Sequence, residues 1–212
     1  MKSLQRKRLK GTLPSFLCSL CLLTAFVSCS DEPLIDDENE TASIKENSLE
    51  ARLKKATTWQ EQIEILDQKM RRFHNFKVAI AQGYTELVGP PPEAGGPYVP
   101  NMGYHYRNPE LLDDGFNLLE PEILVYYPDE DGNMIFGAAE YLEEIPNFAP
   151  PSGCKNDGSV PAPEGFIGDA DHWLDNCGAG GWTLHAWVGT ENPDGVFAHS
   201  NPLVPAKDVS LD

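Results

Sequence analysis

A mainly β domain, a small antiparallel β-sandwich or barrel with one N-terminal α-helix packed on it, is the fold class this sequence predicts. Three observations predict it. The chain carries 18 glycines and 18 prolines in 212 residues, a density of helix breakers that excludes an all-helical bundle. One stretch alone, residues 59–80, repeats apolar residues at three- and four-residue steps. Short runs rich in β-branched and aromatic residues follow it, at Met102–Tyr106, Glu122–Tyr127, Met134–Leu142 and Trp182–Val188. With 41% hydrophobic residues the chain can build one modest core.

The N-terminus carries an address. Residues 1–28 hold Lys2, Arg6, Lys7, Arg8 and Lys10 and no acid, then an apolar run from Leu13 to Val27. That is the length of a signal-peptide core and too short for a comfortable span. Phe26-Val27-Ser28-Cys29 resembles a bacterial lipobox, with Phe26 where leucine is usual. Cys29 is therefore the expected site of lipidation by palmitate-type chains and the expected mature N-terminus. Several acyl chains on one residue hold a membrane stably. Residues 29–57 are acidic and poor in aromatics, the composition of a disordered tether. The acids directly after Cys29 resemble the surface-export signal of Bacteroides-group lipoproteins. The expected location is the bacterial outer membrane, with the domain facing the periplasm or the cell surface.

Charge narrows the partners. Sixteen basic residues face 33 acidic ones. Without residues 1–28 there remain 11 basic and 33 acidic residues, a formal charge of −22. Nucleic acid is excluded as a partner, because it requires a basic face. Two of the five cysteines fall in the leader and Cys29 is taken by lipid. Cys154 and Cys177 remain, an even pair in an oxidising compartment, and a disulfide is expected between them. Closing that loop stabilises the fold by about 3 kcal/mol in the chain-entropy model.

Residues 58–205 make the single folded domain, and 206–212 a tail. Thr58 and Glu61 have capping-box spacing. Trp59, Ile63, Leu66, Met70, Phe73, Phe76 and Ile80 then share one face of a helix expected from Trp59 to Gln82, with Gly83 as its stop. His74 lies off that stripe and is expected to be solvated. Tyr126 to Asn133 reads as a hairpin with Gly132 in the left-handed turn position. That register sets Asp129 opposite Asn133, Tyr127 opposite Ile135, and Glu122 opposite Glu140. Like charges directly across a strand pair are unfavourable. A bound cation, Arg107 or a shared proton would relieve the pair, and a register slip of one residue would remove it.

Two histidines fall on other expected strands, His105 and His185. Gathered on the inward face of one sheet, His105, Glu122, Glu140 and His185 form a donor set that suits a divalent transition metal such as Zn, Fe, Mn or Ni. The rival for each histidine is a buried residue with one hydrogen bond.

The runs Met102-Gly103-Tyr104-His105-Tyr106, Pro121-Glu122-Ile123-Leu124, Glu140-Tyr141 and Leu184-His185-Ala186-Trp187, with Asn192-Pro193-Asp194-Gly195-Val196-Phe197 and Asn201-Pro202, resemble a family of secreted bacterial proteins of unassigned function. That family carries G-x-H-Y-x-N early and L-H-x-W…N-P-x-G-x-F-x-x-x-N-P late. The resemblance covers residues 58–203 and implies that His105, Glu122, Glu140 and His185 fill family positions. It attaches no activity to them. The family's cysteines lie elsewhere, so the Cys154–Cys177 pair does not follow from it.

Other signals are weak. Asp129, Asp131, Asn133 and Glu140 match EF-hand offsets, but Met134 stands where glycine is needed. Trp173, Trp182, Trp187, Tyr98, Tyr104 and Tyr106 could form a platform for sugar rings, though a core role is the usual one. His199 is expected on the surface rather than in the site. No motif specifies a reaction. The expected function is a membrane-anchored lipoprotein with a metal site in a β-domain. The alternatives are a glycan- or small-ligand-binding module, and an accessory lipoprotein without a site.

Overall fold

The computed structural model describes residues 48–90, 96–112, 115–146, 148 and 160–211. The leader, Cys29 and most of the tether lie outside the described residues. So does Cys154, and with it the expected disulfide. Among the described residues no helix is long and apolar enough to cross a membrane.

Residues 48–53, within the stretch expected to be a disordered tether, are helical, and Leu49 and Leu53 pack against the core, so the folded part begins ahead of residue 58. Thr58 opens the expected helix. Its Oγ1 accepts from Glu61 N, and the Glu61 carboxylate accepts from Thr58 N. The expected single helix is broken, however. Helix α1 runs Trp59–Met70, a 3₁₀ turn follows over Arg71–His74, and α2 is Phe76–Ala81. Asn75 causes the break: at φ −90°, ψ 100° it leaves helical space, and its side chain caps α2 by accepting from Lys77 N. Both pieces press on the same sheet face, so one apolar stripe runs through the interruption. Gly83, at φ +96°, takes the left-handed position past the end of α2.

The strands form one six-stranded antiparallel sheet. They are β1 (Glu86–Val88), β2 (Tyr104–Arg107), β3 (Ile123–Pro128), β4 (Met134–Glu144), β5 (Leu174–Asn176) and β6 (Gly181–Ala186), in the order β1-β2-β3-β4-β6-β5. The mainly antiparallel β architecture with helices against it matches the expectation. Among the described residues there is neither a second sheet nor closure between β1 and β5. Those two edge strands, three residues each, carry too few positions to show a period in the sequence.

One sheet face carries Leu124, Tyr126, Phe136, Ala139, Tyr141, Leu184 and Ala186, all buried, and packs against Ile65, Leu66, Met70 and Phe73. Buried tyrosine hydroxyls tie this core to loops and helix: Tyr126 donates to Phe73 O at 2.7 Å, Tyr84 to Pro121 O and Tyr141 to Leu118 O, each at 2.8 Å. The opposite face holds a smaller cluster of Val125, Ala138, Trp187 and Val204.

The β3–β4 hairpin corrects the register. Near the turn it is as expected, with Tyr127 opposite Ile135 and Asp129 N donating to Asn133 O. Between Val125 and Tyr126 the pairing shifts by one: Tyr126 faces Phe136, but Val125 faces Ala138. Gly137 is the extra residue of a β-bulge. Beyond it Glu140 lies opposite Ile123, not Glu122. Arg107 does not relieve an acid pair either, since its guanidinium binds Glu86 at 2.8 and 3.0 Å.

Gly103 stands where β2 begins, at φ +110°, and a Cβ there would collide with the Tyr126 carbonyl. Gly103→Ala is expected to lower the unfolding free energy by more than about 2 kcal/mol, read from the urea midpoint at unchanged m-value.

Candidate metal centre

The bulge decides which side chains meet. Strand pairs put His105 opposite Val125, Val125 opposite Ala138, and Glu140 opposite His185. Residues on one face alternate, so His105, Glu140 and His185 share the face away from the helices. They are buried, at 7%, 2% and 3% exposure. His105 Nε2 lies 3.5 Å from Glu140 Oε2, and His185 Nε2 lies 3.7 Å from Oε1. One donor atom from each residue falls within 4.8 Å of the others.

These separations are too long for hydrogen bonds and suit a shared cation. Two ligands about 2.1 Å from a tetrahedral metal stand about 3.4 Å apart. The polar atoms in the gap bear this out: Glu140 Oε2 and His185 Nε2 are buried without a hydrogen-bond partner. Each such atom costs about 1–3 kcal/mol when left unsatisfied. Buried His105, Glu140 and His185 lie close enough to bind a metal ion, and the neutral imidazoles and carboxylate fit a divalent transition metal.

Glu122 does not join them. It is buried too, but its carboxylate accepts from Leu142 N at 3.0 Å, while its own carbonyl accepts from Asn108 N. The expected four-residue set becomes three.

Compared with family models, curated proteins and solved structures, the chain matches none. The motif residues acquire roles from the coordinates instead. In the early run Gly103 permits the close approach to β3, His105 is a donor, and Tyr106 packs edge-on to Phe76 with centroids 4.9 Å apart. Asn108 donates to Gln82 O, fastening β2 to the end of α2. In the late run Leu184 is core and His185 a donor, while Trp187 lies parallel to His185 at 5.9 Å and donates its indole N–H to Ala198 O at 2.7 Å.

The three donors line a cleft of about 520 Å³, with Val88, Val99, Met102 and Ile123 among its apolar walls. His199 lines it as well, its ring edge-on to His185 with centroids 5.6 Å apart. It is exposed as expected, yet it belongs to the site's surroundings. The signal for that was its place between Phe197 and Asn201, two buried residues of one short loop. The six aromatics do not share one face: Tyr106 packs on the helix side with Phe76 and Tyr126, whereas Trp187 belongs to the opposite face. The EF-hand match fails, because Asp129 Oδ1 accepts from Asp131 N and Asn133 N within the hairpin turn. His74 is solvated, as expected.

Burial pushes the Glu140 carboxyl up to about 8, and Glu122 adds to the rise. Burial also pushes His105 down to about 4, partly offset by the Gly103 backbone and aided by His199. His185 is held well below the usual imidazole range by burial, then by His105 and His199. The metal-free centre at neutral pH is thus two neutral imidazoles beside a protonated carboxyl.

The sign of the pH dependence follows. A raised carboxyl stabilises the metal-free fold fully below about 4.5 and loses that stability as pH rises through about 8. The depressed His105 acts oppositely, favouring the fold as pH rises from about 4 to 6.5. Above pH 6.5 the carboxyl acts alone. Metal-free protein should lose stability from pH 6.5 to 8 at up to about 1.4 kcal/mol per pH unit, by urea titration, and Glu140→Gln should flatten that slope.

Proposed function

We propose that this protein is a membrane-anchored lipoprotein whose β-domain binds one divalent transition metal through His105, Glu140 and His185. The observation that carries the metal reading is the convergence of three buried donors, with Glu140 Oε2 and His185 Nε2 lacking hydrogen-bond partners. Three protein ligands beside a cleft leave room for water or a ligand on the metal, the arrangement of catalytic rather than closed structural zinc sites. The anchor reading is supported by the basic leader, its apolar core and Cys29 in lipobox context.

Protein purified without chelators or an affinity metal should carry about one equivalent of metal by elemental analysis. Metal at a hundredfold excess over Kd should stabilise the fold by about 2.7 kcal/mol. His105→Ala, His185→Ala and Glu140→Gln should each lose the metal and this stabilisation. Glu122→Gln and His74→Ala should keep both. Metal-free wild-type protein that takes up none of Zn, Mn, Fe or Ni would refute the assignment.

For the anchor, a radiolabelled fatty acid fed to the native cell type should mark the wild-type chain and leave Cys29→Ala unlabelled.

A further inference from the structure

The cleft beside the triad also specifies what it can hold, an inference that rests on the metal reading above. A divalent ion, two neutral imidazoles and one carboxylate sum to a single positive charge. A buried net charge is costly until it is neutralised, and one anionic donor on the open position neutralises it. A dianion would overcompensate. Among the described residues no lysine or arginine lines the cleft to take up a second negative charge. The chain's formal charge of −17 further disfavours multiply charged anions.

The rest of the cleft is apolar on one side. Val88 ends β1, Val99 and Met102 come from the segment ahead of β2, and Ile123 opens β3 beside Glu140. Asn176 and His199 are the polar side chains that remain once the three donors are assigned to the metal. A volume of about 520 Å³ falls in the range of small-molecule sites.

We propose that this cleft binds a small monoanionic ligand of the carboxylate class, its head on the metal and its apolar body against Val88, Val99, Met102 and Ile123.

The test uses the cobalt(II)-loaded protein, whose visible ligand-field spectrum reports donors added to the metal, titrated with acetate, butyrate, hexanoate and succinate. Spectral saturation should tighten from acetate to hexanoate by about fourfold per methylene, the ratio for burying one CH₂. Succinate, with butyrate's carbon count and a second charge, should bind at least tenfold more weakly than butyrate. Val99→Asp should abolish the chain-length gradient while keeping its cobalt by elemental analysis. Should that variant not fold, the wild-type gradient still decides. Equal affinity for acetate and hexanoate, succinate binding as tightly as butyrate, or no spectral response with cobalt bound would each overturn the proposal. Failure to bind cobalt at all would instead refute the metal reading on which it rests.

Discussion

The single extra residue at Gly137 is the constraint on which the site depends. Without it the hairpin register would run straight and set Glu140 opposite Glu122, on the face that packs against the helices. Inserting one residue shifts every position beyond it to the other face. Glu140 then stands between His105 and His185 rather than within the helix-packed core. The bulge is itself held: the Gly137 carbonyl accepts from Gly189 N at 3.0 Å and Thr190 N at 3.1 Å, and Thr190 Oγ1 donates to Phe136 O. A Cβ at 137 would come within 3.2 Å of the Trp187 ring. Glycine therefore lets the bulge and the indole pack together.

A buried carboxyl between two imidazoles is an expensive thing to build into a core. Burial favours the uncharged form of all three groups, which is why Glu140 rises to about 8 while both histidines fall. If the residues were only structural, a direct carboxyl–imidazole hydrogen bond would offset the cost, and the strands are close enough for one. The atoms instead stop 3.5–3.7 Å apart, facing one another across a gap. Glu122 makes the contrast. Its carboxylate is equally buried but accepts from a backbone N–H, as a structural acid does.

Much of this could be read from the chain, and each failure has its own physical cause. The capping box, the hairpin turn, the four principal strands and the donors His105, Glu140 and His185 follow from local spacing and residue type. The helix break at Asn75 escaped because periodicity reports the face that is buried, and that face is continuous through the break. The edge strands β1 and β5 escaped because three residues cannot show alternation. A straight register carried past Gly137 places Glu122 in the site, and the bulge takes it out. Yet a lone glycine inside a strand pattern, as in Phe136-Gly137-Ala138, is itself a bulge signal.

The loop after β6 shows how a surface residue can be held as firmly as a core one. Asn192 donates to Ser200 O and accepts from Asp194 N, while Asn201, fully buried, donates to Glu191 O and accepts from Leu203 N. Phe197 packs into the main core against Phe166 and Trp59, and Ala198 O takes the Trp187 indole. His199 lies between these fixed points. Its ring is exposed, but its backbone is pinned on both sides and tied through Trp187 to the strand that supplies His185. Such support from locked neighbours is what holds a polar group in a fixed position beside a site. The same frame braces the Gly137 bulge through Gly189 and Thr190. The segment that aims His199 at the cleft is therefore continuous with the one that turns Glu140 toward the two histidines.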